Sequence, residues 1–174
     1  MAQVVFMRAV NIGGHQTFQP SKLACELAEF DVVSIGAAGT FVARKKATES
    51  KLRKAILSRL PFVPELMICP AEELLALNDI RAFNDPGAGI QRFLTVMGKT
   101  PLTVPRLPIS APEKTDWQVS VVAVEGRYAL SFRRPGGKPQ FYPNEIVEKR
   151  LGVPATTRNW TTITKIHDIL ISDK

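Results

Sequence analysis

The residues best suited to hold an anion lie in two runs near the ends of this 174-residue chain. One run is Arg8-Ala9-Val10-Asn11-Ile12-Gly13-Gly14, and the other is Thr156-Thr157-Arg158-Asn159-Trp160-Thr161-Thr162. Gly13-Gly14 follows an expected strand and precedes an expected helix, a junction where main-chain N–H groups can cradle negative charge. The same pair equally suits a tight turn with positive φ. The spaced glycines of a dinucleotide-binding loop and the Lys-Ser/Thr pair of a phosphate loop are both absent. Asn11 can orient a ligand or bond its own neighbouring backbone. A helix start already favours negative charge, so the last helix has no need of Arg158. That arginine pairs either with a buried carboxylate or with a substrate phosphate or carboxylate. Asn159 is the expected N-cap of the last helix, with Thr161 or Thr162 sharing the role, and Trp160 is its expected anchor. The ligand-binding candidates are therefore Arg8, Asn11, Gly13, Gly14, Arg158, Asn159 and Trp160.

Positive charge suggests a second chemistry. The chain carries a net +7, with 10 basic and 9 acidic residues over 1–87 and 13 basic and 7 acidic over 88–174. Arg44-Lys45-Lys46, with Lys51, Arg53 and Lys54, lines a strand end and the helix after it. Arg133-Arg134-Pro135-Gly136-Gly137-Lys138 is a flexible basic loop. Such runs are either solvated faces or phosphate contacts, and the nucleic-acid candidates are Arg133, Arg134, Lys138 and Arg158. An RNA-recognition sheet also needs stacking aromatics on its central strands, where Phe6 and Phe41 are the only candidates. His15 and His167 have no metal-ligand spacing and no nucleophile elbow. Glu72 and Glu73 are adjacent on a helix and diverge. No metal, cofactor or catalytic constellation is expected. Cys25 and Cys69 cannot form a disulfide framework and are expected to be buried, reduced and small.

The elements that must position these residues read clearly in the first half. Gln3–Arg8 is an expected strand, and Pro20 suits the first turn of a helix carrying Leu23, Leu27 and Phe30 toward a core. Val32–Ile35 and Thr40–Arg44 are strands joined through Gly36-Ala37-Ala38-Gly39. Thr48 caps a second helix with Leu52, Ile56 and Leu60 on one stripe, ending at Pro61. Glu65–Cys69 is a fourth strand, followed by a short helix over 70–77. The fold class is α+β, and the βαββαβ order is that of a ferredoxin-like subdomain over residues 1–84.

Asn84-Asp85-Pro86-Gly87 marks the expected boundary. Residues 88–174 then form a second, smaller α+β subdomain packed on the first, with antiparallel strands and two C-terminal helices. Arg92–Met97 is a strand, and Pro101, Pro105, Pro108 and Pro112 exclude a helix from the crossover that follows. Trp117–Val124 and Arg127–Phe132 form a hairpin around Glu125-Gly126. Its alternation sends Val119, Val121 and Ala123 one way and Ser120, Val122 and Val124 the other. Asn144 is the expected cap of a helix through Ile146, Val147 and Leu151, stopped by Gly152. The last helix carries Ile163, Ile166 and Leu170. The second half reads as a worn copy of the first half's topology. No stretch is long and apolar enough for a membrane span, and the N-terminus shows no basic leader before an apolar core, so a cytoplasmic protein is expected.

At the two terminal runs the chain resembles a bacterial family catalogued as domain-of-unknown-function family 1697. Its members start with a strand leading into a run like Arg-Gly-Ile-Asn-Val-Gly-Gly and end with Thr-Thr-Arg-Asn-Trp-Asn-Thr before a final helix. Arg8, Asn11, Gly13 and Gly14 match the first pattern; Thr156, Thr157, Arg158, Asn159, Trp160 and Thr162 match the second. Ala9 replaces a family glycine. Ala37-Ala38-Gly39-Thr40 replaces the family's Gln-Ser-Gly-Asn turn, keeping its glycine and losing most of its polar groups. The resemblance implies two small, partly ferredoxin-like α+β subdomains and implies no activity.

The function these residues suggest is a non-catalytic module binding an anionic ligand or nucleic acid. The alternative is a small-molecule-binding protein or enzyme with a cleft between the subdomains, edged by the two terminal runs. A third reading makes both runs architecture.

Overall fold

The computed structural model describes residues 1–79, 86–113 and 116–172. The Asn84-Asp85 half of the expected boundary turn lies outside them. The chain divides into two compact units, Met1–Asn78 with Thr164–Lys174, and Asp79–Ile163. The end of the last helix thus groups with the first unit, whereas the expected boundary assigns the whole tail to the second.

In the first unit the order is β1 (Gln3–Arg8), α1 (Pro20–Glu26), β2 (Val32–Ile35), β3 (Thr40–Ala43), α2 (Glu49–Leu57) and β4 (Glu65–Pro70). A short helix, α3 (Ala71–Ala76), follows. Pro20 opens α1, and Thr48 Oγ1 accepts from the Lys51 N–H at 3.3 Å to cap α2. The sheet runs β2-β3-β1-β4 with every neighbour antiparallel. One face packs Val5, Phe41 and Ile68 against Leu23 and Leu27 of α1 and Leu52 and Ile56 of α2. Each fully buried aliphatic side chain here contributes roughly 1.5–3 kcal/mol. The opposite face, with Val4, Phe6, Val42 and Met67, is buried as well. Cys69 is buried as expected, but Cys25 is exposed. It sits on α1 one residue past Ala24, turned off the stripe that Leu23 and Leu27 bury.

The second unit holds β5 (Gln91–Met97), β6 (Ile109–Ala111), β7 (Val119–Glu125), β8 (Tyr128–Arg133), α4 (Pro143–Leu151) and β9 (Ala155–Asn159). Helix α5 (Trp160–Ser172) starts here and ends in the first unit. This antiparallel sheet runs β6-β7-β8-β5-β9. Without β6, the order β7-β8-β5-β9 repeats β2-β3-β1-β4 strand for strand. Helix α4 stands where α2 stands, packing Ile146, Val147 and Leu151 on Met97, Val119, Val121 and Ala129. The proline-rich crossover takes the place of α1.

Three sequence expectations change in this unit. The two C-terminal helices are separated by β9, whose polar residues hid its strand character. The hairpin alternation inverts after Val121, because a β-bulge shifts the register so that Ala123 faces Leu130 and Val124 faces Ala129. One extra residue reverses every later side chain, and Val124 packs with the α4 cluster instead of Ala123. Helix α4 begins at Pro143 with Tyr142 at the N-cap, so Asn144 lies inside the first turn. Proline's fixed φ favours that first position. Gly152, at φ 70°, stops the helix as expected.

Candidate functional site

The first terminal run is a loop fastened at both ends. Ala9 (φ 56°) and Asn11 (φ 54°) take the left-handed conformation, as do Gly13 (φ 58°) and Gly14 (φ 78°). The His15 N–H donates to the Ile12 carbonyl at 3.0 Å, closing a tight turn on the two glycines. Asn11 Nδ2 donates to the Ala37 carbonyl at 2.8 Å, and its Oδ1 accepts from the Phe18 N–H at 2.9 Å. Both ends of the amide therefore tie this loop to the β2–β3 turn and to its own far side. Arg8 Nη1 donates to Glu65 Oε2 at 3.2 Å, across the β1–β4 ladder. At Gly39 (φ 71°) a Cβ would lie 2.7 Å from Met7 Cβ and from Val10 Cγ2, so only glycine lets this turn close on β1.

The second run is β9 and the start of α5. Arg158 is 7% exposed, and its Nη1 donates to Thr156 Oγ1 at 2.8 Å and to the Thr157 carbonyl at 2.9 Å. Burial pushes its guanidinium down from its ordinary value to about 10. It stays charged at neutral pH, and this penalty on the folded state is relieved only as pH rises through 10 toward the unfolded value. Thr157 Oγ1 and Thr95 Oγ1 share a hydrogen bond of 2.7 Å. Asn159 Oδ1 accepts from the Thr162 N–H and hydroxyl, both at 2.9 Å, which makes it the N-cap of α5. The Arg92 guanidinium lies 5.1 Å from the centre of the Trp160 ring.

The basic loop after β8 has a different character. Gln91, Gln118, Arg133, Arg134, Gly136 and Gly137 line a depression of about 400 Å³. Arg133 sits 4.9 Å from the Phe93 ring centre and 5.5 Å from that of Tyr142, and its Nη2 donates to the Phe141 carbonyl at 3.4 Å. Arg134 lies 4.1 Å over Trp117. Sequence reasoning misses these aromatic partners, which come from separate segments of the chain. Val119 pairs with Arg133, which sets Gln118 opposite Arg134 and Trp117 one position beyond it.

The structure thus groups Arg133 and Arg134 at one depression with Lys138 exposed on the same loop. It places Arg8, Asn11, Gly13 and Gly14 in the first unit and Arg158, Asn159 and Trp160 in the second. Phe6 and Phe41 are 0% and 1% exposed, so neither can stack a base. His167 is buried, with Nε2 3.1 Å from the Leu74 carbonyl and Nδ1 bonded to the Asn78 amide, and it joins α5 to the segment after β4. Among the described residues no group of three or more His, Cys, Asp or Glu is placed to hold a metal ion, and no helix is long and apolar enough to cross a membrane.

No family model matches the chain, and no curated protein matches it. Among solved structures it is similar to a conserved bacterial protein from Streptococcus pneumoniae. The two share 16% identity over 97% of this chain and 98% of that one, with a TM-score of 0.60. At that identity the likeness is one of fold.

Proposed function

We propose that the protein is a non-catalytic module that binds a phosphate-bearing anion in the basic depression of the second unit. The observation that carries this reading is the lining, which has two arginines, two glutamines and no carboxylate. Both arginines already lie against aromatic rings. A guanidinium held in place beforehand loses less freedom on binding, and its fork matches phosphate oxygens. A Cβ at Gly136 or Gly137 would meet nothing within 4 Å, so the loop backbone is open to a ligand. The buried aromatics of the first sheet favour a small polyanion over single-stranded RNA. In this reading the two terminal runs serve the fold. The strand order β2-β3-β1-β4 supports a ferredoxin-like first unit, and the two terminal motifs support membership of family 1697.

The test is calorimetry of the whole chain with pyrophosphate and with RNA and DNA oligonucleotides, over a salt series. Pyrophosphate is expected to bind, to weaken as salt rises, and to lose its site in a folded Arg134→Ala variant. Absence of pyrophosphate binding at low salt would reject the site. Oligonucleotides binding more tightly than pyrophosphate would reassign it to nucleic acid.

A further inference from the structure

We infer that the open edge of β2 is the pairing surface for a second copy of this chain. In the second unit the matching edge, that of β7, is already occupied. Strand β6 pairs antiparallel with it, Ile109 with Val121, Ser110 with Ser120 and Ala111 with Val119. In the first unit β2 ends the sheet.

The ladder shows which groups that edge presents. The Met7 N–H donates to the Gly39 carbonyl, which commits alternate residues of β3, Phe41 and Ala43, to β1. The Arg44 N–H donates to the Asp31 carbonyl, so Val42 and Thr40 bond Val33 and Ile35 of β2. Val32 and Ser34 therefore turn their main-chain N–H and C=O groups away from the sheet. Soluble proteins usually blunt such an edge with charge, proline or a bulge, and Val32-Val33-Ser34-Ile35 has none of these.

A copy related by a two-fold axis satisfies this edge. Antiparallel pairing about Val33 sets Val32 opposite Ser34 of the second copy and Ser34 opposite its Val32, so all the outward groups bond reciprocally. Beside the strand, Ser34, Ile35 and Gly36 share a groove of about 310 Å³ with Lys165, Asp168 and Ile169 of α5. Lys165 and Asp168 are exposed, and neither has an ion-pair partner among the described residues. One cation and one anion a helical turn apart form a self-complementary patch, each facing its opposite across a two-fold axis. Residues 1–87 carry +1 of the net +7, so this half opposes association little.

Sedimentation velocity of the full chain over a concentration series tests the inference. A reversible dimer is expected. Ser34→Pro removes one outward N–H, and Lys165→Asp sets like charges against each other, each weakening the dimer by roughly tenfold. The double swap Lys165→Asp with Asp168→Lys is expected to restore it. A monomer at every concentration overturns the inference and leaves the edge to an extended segment of another protein. A dimer indifferent to both single variants overturns it too.

Discussion

The two units build the same four-strand order and join its strands by different means. From β1 to β2 the first unit travels through the Ala9–Gln16 loop and α1, delivering Leu23 and Leu27 to the sheet. From β5 to β7 the second unit uses a crossover with no helix among the described residues, which lays Leu107 and Ile109 on its own core and adds β6. What the topology requires of this connection is apolar side chains on one face of the sheet, in whatever backbone form. The helix leaves the sheet edge bare, whereas the crossover covers it. The hairpin turns differ as well. Gly39 is pressed against Met7 and Val10, while a Cβ at Gly126 would meet nothing within 4 Å.

The sharpest way to break this comparison is at those turns. Gly39→Ala combines a strained φ with overpacking and is expected to cost about 3–4 kcal/mol, against about 1 kcal/mol for Gly126→Ala at φ 57°. Urea unfolding of both variants measures the difference; equal losses would mean that the first turn is no more constrained than the second. Next come the crossovers. Leu27→Ala removes a side chain 1% exposed and is expected to cost about 3 kcal/mol. Leu107→Ala, at a partly buried site, is expected to cost about 1 kcal/mol. A larger loss from Leu107 would make the crossover the more tightly packed connection. The smallest effect is a gain. Ala9 holds φ 56°, and Ala9→Gly is expected to stabilise the chain by about 0.5 kcal/mol, the strain relieved minus the added freedom of the unfolded chain. A rise in the unfolding midpoint at unchanged slope checks it.

The first unit was legible because its signals are local and independent. Pro20 and Thr48 open helices, and Leu52 and Ile56 recur at helical spacing. The second unit was harder for identifiable reasons. Thr156, Thr157 and Arg158 cover their polar groups by bonding them within the strand and to Thr95 of β5, so no apolar alternation announced β9. Ile109-Ser110-Ala111 is too short, and too closely flanked by Pro108 and Pro112, to register as a strand. The bulge after Val121 depends on pairing with β8, and a single strand's pattern does not encode it. At the candidate site both arginines and the two loop glycines were legible as a basic loop. Their aromatic supports were not, because Phe93, Trp117 and Tyr142 lie on separate segments that only the fold brings together.

The unequal exposure of the two cysteines gives the first unit a chemical clock of its own. Cys25 lies open on α1, while Cys69 is sealed within β4. A thiol-reactive dye should therefore mark the native chain once and the unfolded chain twice. The rate of the second addition would report how often β4 comes free of its sheet, without any label having been engineered into the protein.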